Sequence, residues 1–123
     1  MKLVEALNRI DTQNKNTYSQ NDKVAWLSAL DMMIKTQVID THEGAETKGF
    51  SGYDETTDLQ TELLAPAPFD EMYLRWLDAR IYYANGEYSR YNNAITAYQE
   101  LYDGFSNFYN RTHMPKGRTF QYF

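Results

Sequence analysis

From Tyr91 to Tyr109 the chain sets an apolar or aromatic residue at alternating steps of four and three: Tyr91, Ile95, Tyr98, Tyr102, Phe105 and Tyr109. Side chains three and four apart share one face of an α-helix, whereas a strand would need a period of two. This stretch therefore predicts a long helix opening at Glu87 and ended at the latest by Pro115. Just upstream, Phe69, Met72, Tyr73, Trp76, Leu77, Arg80, Ile81 and Ala84 share a broad face of another helix starting near Pro68. Asn85-Gly86 separates the two, and both residue types suit a tight turn. Two helices joined so closely must pack as an antiparallel hairpin.

The first third of the chain reads as two more helices. Leu3, Val4, Leu7 and Ile10 fall on one side of a short helix over residues 2–11, and the polar run Thr12–Gln20 reads as a loop. Ser19, three residues before Asp22, forms an approximate capping box. Val24, Leu27, Leu30, Ile34 and Val38 then follow at helical spacing, which predicts a helix from about Gln20 to His42, stopped by Gly44. Residues 44–67 are different. Gly44, Gly49, Gly52 and Pro66 punctuate a Thr-, Asp- and Glu-rich stretch that allows a short hairpin through Phe50 to Leu59. Residues before prolines are pushed out of helical geometry, so 63–68 should be extended. The expected fold is all-α: a small bundle of about four helices, with a long acidic loop between helices two and three and an extended C-terminal arm. The expected domain spans residues 1–115, with a flexible loop at 44–66 and the arm at 116–123. Its core should centre on Leu27, Leu30, Ile34, Trp76, Leu77, Ile81, Ile95 and Leu101. At 123 residues such a chain is large enough for one core, burying roughly two thirds of its unfolded surface.

Charge narrows the function. The net charge is -5, but residues 40–71 alone hold nine acids and one base, Lys48, a local net of -8. A sequence-specific nucleic-acid reader needs a basic face, and none is visible. The acidic segment reads either as a solvated loop or as a surface that meets a basic partner or lies near DNA without gripping it. Cysteine is absent, which excludes disulfides and thiolate chemistry. The first residues carry charges inside their apolar stretch, so they read as neither signal peptide nor membrane span.

Catalytic and metal motifs appear only as near-misses. His42-Glu43-Gly44-Ala45-Glu46 has the start of a zinc-protease spacing, but Glu46 stands where the second histidine should be and Gly44 interrupts the helix. The two histidines, His42 and His113, read as surface residues near helix ends. Asp54-Glu55 and Asp70-Glu71 are sequence neighbours, which do not face each other on a helix. No catalytic residue, cofactor or metal ligand is assigned, and no enzyme activity is expected. Aromatic content says more. Of 19 aromatics, 15 lie at positions 69–123, and Tyr82, Tyr83 and Tyr88 point in differing directions around the hairpin turn. They cannot all be buried in one copy. Tyrosine, with an apolar body and a polar tip, suits half-wet protein interfaces. Tyr82, Tyr83 and Tyr88 are therefore candidate partner contacts, together with the arm residues Lys116, Arg118, Phe120, Tyr122 and Phe123. The exposed acids Asp54, Glu55 and Asp58 are candidates for lining a channel or loop surface.

Three segments also carry a family resemblance: Glu62-Leu63-Leu64-Ala65-Pro66-Ala67-Pro68-Phe69-Asp70, Tyr83-Ala84-Asn85-Gly86-Glu87-Tyr88-Ser89-Arg90-Tyr91-Asn92-Asn93, and Phe108-Tyr109-Asn110-Arg111-Thr112-His113-Met114-Pro115. Together they resemble the head–tail connector, or neck adaptor, proteins of tailed phages and prophages of Gram-positive bacteria. The resemblance implies a helical bundle with a protruding loop and a C-terminal arm that holds the portal. It implies a homo-oligomeric ring, of about twelve copies with closed symmetry, that extends the DNA channel and presents a platform to the stopper or tail-completion protein. DNA would pass through without sequence-specific binding. The implied location is the virion neck, after synthesis in the host cytoplasm, with no membrane partner. A second resemblance competes: Tyr83-Ala84-Asn85-Gly86-Glu87-Tyr88 is similar to the turn of a tetratricopeptide helix pair, although no second copy occurs at a period near 34.

Overall fold

The computed structural model describes residues 1–43 and 49–114. Four helices run α1 Leu3–Gln13, α2 Gln20–Gln37, α3 Glu71–Asn85 and α4 Tyr88–Thr112, so the fold is the small all-α bundle that the periodicity predicts. No strand occurs among the described residues, and the hairpin allowed at Phe50–Leu59 is absent. In its place two turns follow one another. Thr57 N–H donates to the Asp54 carbonyl (3.1 Å) and Thr61 N–H to that of Asp58 (3.0 Å).

Helix ends follow local chemistry. Ser19 Oγ accepts the Asp22 N–H at 3.1 Å, the cap predicted for α2. α2 stops at Gln37, short of His42, because Ile39–Thr41 tighten into a 3-10 turn in which Thr41 Oγ1 donates to the Val38 carbonyl at 2.7 Å. At the other end of the hairpin Gly86 takes φ +78°. Its N–H donates to the Tyr83 carbonyl (3.1 Å) and that of Glu87 to Tyr82 (2.8 Å), the paired bonds of a Schellman motif. This geometry reverses the chain within two residues and lays α4 back along α3.

α3 touches the other three helices, so it is buried on more than the one face its periodicity suggests. Met72, Tyr73, Leu74, Leu77, Ala79 and Ile81 are all buried. From α4 come Ala94, Tyr98, Tyr102 and Phe105, and from α2 Val24, Leu27, Leu30 and Ile34. Three of the expected core residues, Trp76, Ile95 and Leu101, are only half-buried at its edge. For Trp76 the reason is its indole N–H, which donates to the Trp26 carbonyl at 2.8 Å and holds the ring at the α2–α3 margin.

The connecting segment contributes to the core, because Tyr53, Leu63 and Ala65 are buried. It also closes the start of α1. The first N–H groups of a helix lack intrahelical partners. Here Leu3 N–H donates to the Thr61 carbonyl at 2.8 Å and Val4 N–H to that of Leu59 at 2.9 Å. Residues 44–48, and the arm at 116–123, lie outside the described residues, so the expectations placed there meet no structure.

Candidate functional site

The segment is held from below by a residue that helical periodicity does not mark as functional. Asp31 lies on the buried face of α2 beside Leu27, Leu30 and Ile34, and is fully buried. A buried charge must be paired or hydrogen-bonded. Asp31 receives three donors: the Tyr53 hydroxyl and the Leu64 N–H (3.1 Å) on one oxygen, and the Tyr73 hydroxyl (2.6 Å) on the other. Tyr73 in turn accepts the Ala65 N–H at 2.7 Å. Burial raises the Asp31 carboxyl above its usual range, against the pull of these hydrogen bonds. Burial, and then the Asp31 charge, push the Tyr53 and Tyr73 phenols up, so both stay protonated and donate. Asp31 and Tyr73 are fully buried, and the cluster anchors the segment to α2 and α3.

Above this anchor the acids face outward. Asp54, Glu55 and Asp58 are all exposed. Two of them shape the turns: Asp54 Oδ1 accepts the Thr56 N–H (2.8 Å) and hydroxyl (2.6 Å), and Asp58 Oδ1 accepts the Gln60 N–H (2.9 Å). The Thr56 bonds lower the Asp54 carboxyl below its ordinary value. Glu55, at the crest of the first turn, makes no hydrogen bond or ion pair among the described residues.

At the hairpin tip the tyrosines divide. Tyr83 and Tyr88 are 51% and 59% exposed, values that leave about half of each ring wet. Their rings stand 5.7 Å apart, and Tyr83 meets Tyr91 at 5.3 Å. The Arg80 guanidinium lies 5.5 Å from the Tyr83 ring and 5.5 Å from Trp76, so it roofs both. Tyr82 points elsewhere, into a cleft of about 390 Å³ between α3 and α4 that it shares with Arg75, Asp78, Arg90 and Asn93. The cleft is open because Ala94 and Ala97 bring little bulk to its floor. Thus the structure joins Tyr83 to Tyr88, sets Tyr82 beside Arg90 (6.0 Å) and carries the acidic turns on another surface. Lys116, Arg118, Phe120, Tyr122 and Phe123 lie outside the described residues.

The two histidines do come together, which sequence spacing cannot show. Their ring centres are 6.3 Å apart, with Tyr109 stacked on His113 at 3.7 Å and edge-on to His42 at 4.8 Å. His42 is buried and not on the surface as expected. Its Nδ1 donates to the Val38 carbonyl at 2.6 Å, and Nε2 lies 2.8 Å from the Asn110 side-chain amide. The group fastens the end of α2 to the end of α4, and Glu43 N–H donates to the Met114 carbonyl (2.8 Å) beside it. Among the described residues no group of three or more metal-ligating side chains occurs, and no helix is long and apolar enough to cross a membrane.

No protein-family model matches the chain, and no curated protein or solved structure matches it significantly. Functional inference therefore rests on these surfaces and on the resemblance carried by the three sequence segments.

Proposed function

We propose that this chain is a head–tail connector of a tailed phage or prophage: a structural protein that assembles as a ring beneath the portal, continues the DNA channel and offers a platform to the stopper or tail. The observation that carries the reading is the Tyr83–Tyr88–Tyr91 cluster under Arg80, in which Tyr83 and Tyr88 are solvent-exposed. Tyrosine and arginine are the residues that protein interfaces concentrate, and they dominate binding when a neighbour covers them. An aromatic tip left wet in the single copy is a surface awaiting another chain.

Mixing the full chain with a portal ring, followed by mass measurement and imaging, tests the proposal. A closed ring of this chain seated on the portal is the expected result. A monomer that ignores the portal and binds a single helical or extended peptide would instead favour the tetratricopeptide-like module.

A further inference from the structure

We infer that the cleft between α3 and α4 receives the acidic turn of a second copy of this chain, with Glu55 entering between Arg75 and Arg90. The inference rests on the self-assembly proposed above and names the surfaces that make it. Four observations carry it.

First, the cleft has unused cationic donors. Arg75 gives one N–H to Asp78 at 3.0 Å, and its remaining N–H groups make no hydrogen bond among the described residues. Asp78 does not repel an entering acid strongly. It is nearly buried, and its two oxygens are taken by Arg75 and by the Asn14 amide at 3.0 Å. Among the described residues Arg90 makes one ion pair, with Glu87 at 3.5 Å, an exposed i,i+3 contact that is weak and screened. Its side chain is 68% exposed and free to turn inward.

Second, the cleft is roomy enough and suitably lined for a carboxylate side chain. Its volume is about 390 Å³, and Asn93 and Tyr82 line it together with Arg75 and Arg90. Guanidiniums bind carboxylates with two parallel hydrogen bonds, a geometry lysine does not reproduce.

Third, charges complement each other. Residues 54–62 hold four acids and no base, whereas residues 72–98 hold three arginines against two acids. Within the turn Asp54 and Asp58 spend an oxygen on their own backbone, which leaves Glu55 as the protruding carboxylate.

Fourth, one chain cannot bring these surfaces together. Tyr53, next to Asp54, is fixed to Ser28 (2.9 Å) and Asp31 of α2, while the cleft lies between α3 and α4 on the side that Asn14 reaches. The turn and the cleft are different patches, so contacts repeated head to tail either close a ring or grow a filament. In this arrangement the acidic turns sit between subunits and not on the DNA path.

Charge reversal tests the pairing. Arg90→Glu and Glu55→Lys change exposed side chains that hold no buried partner, and an unchanged melting temperature verifies that each variant folds. Sedimentation velocity of the full chain is followed up to about 1 mM, where even weak contacts register. Each single variant should weaken self-association by about tenfold or more, and the double variant should restore it to within about threefold. Self-association that either single variant leaves intact, or that the double variant loses as the product of the singles, overturns the inference. So does a wild type that stays monomeric at the highest concentration; the connector proposal is then still judged by portal binding. A dimer broken by Arg90→Glu and restored by Glu55→Lys upholds the docking and sinks the ring.

Discussion

The segment at 49–65 and the tip of the α3–α4 hairpin reverse the expected link between regular backbone and burial. The segment has no helix or strand, yet it buries Tyr53, Leu63 and Ala65 and ties its backbone into Asp31 and Tyr73. The hairpin tip joins two regular helices through the Gly86 turn and leaves Tyr83 and Tyr88 half in water. Backbone regularity is decided by local hydrogen bonds. Burial is decided by whether a distant partner exists for the side chain. In the segment the partner is a carboxylate within the same chain. At the tip, the proposed partner is another chain.

Removing that carboxylate should break the comparison most sharply. Asp31→Ala strands two hydroxyls and one amide in the core and should cost about 3–5 kcal/mol. Denaturant midpoints measure it, and hydrogen exchange should show the Leu64 and Ala65 amides losing protection first. A loss under about 1 kcal/mol would mean that the segment is not anchored there. Gly52→Ala comes next, at about 1–3 kcal/mol. Gly52 has φ +97°, and an added Cβ would clash with Ser28 Oγ, which accepts the Tyr53 N–H.

Acidity gives a subtler probe of the same anchor. Burial raises the folded-state pKa of Asp31, so between the ordinary carboxyl value and that raised value the folded chain binds more protons than the unfolded one. Its contribution to stability is therefore largest at low pH and is lost as pH rises through the folded value. The difference in unfolding free energy between wild type and Asp31→Asn should move toward wild type on acidification. A difference that is flat across this window would place the proton elsewhere. The smallest effect belongs to the tip: Tyr83→Ser and Tyr88→Ser should change stability by less than about 0.5 kcal/mol. The same variants should lose ring formation on the portal. A large stability loss would show that these rings serve their own bundle.

What the sequence made legible was local. Ser19 before Asp22, Asn85-Gly86 between two stripes, and the alternating steps from Tyr91 to Tyr109 each act within a few residues, and each appears as expected. The wet tyrosines were legible for a related reason, since a hairpin cannot turn Tyr82, Tyr83 and Tyr88 to one side. Asp31 was half legible. A polar residue between Leu30 and Ile34 on a buried face is a signal, but its partners Tyr53, Leu64 and Tyr73 share no pattern with it. Leu74 was missed because one apolar stripe implies one covered face, whereas α3 is covered by three helices. The cleft could not be read at all, because it exists only once α3 and α4 are set side by side and small alanines leave space between them.

The span of the Asp31 junction has a kinetic consequence. The α3–α4 hairpin closes through contacts near in sequence, which are cheap in chain entropy and quick to form. The junction joins residues 22, 33 and 42 positions apart, and its bonds form only after those loops have closed. Folding should then start at the hairpin and finish at the junction. Conservative changes there, such as Tyr53→Phe, should hasten unfolding while leaving the folding rate nearly untouched. The acidic surface would be the last part of the chain to take shape, and the surface proposed to meet a second copy would be presented only by a molecule already folded.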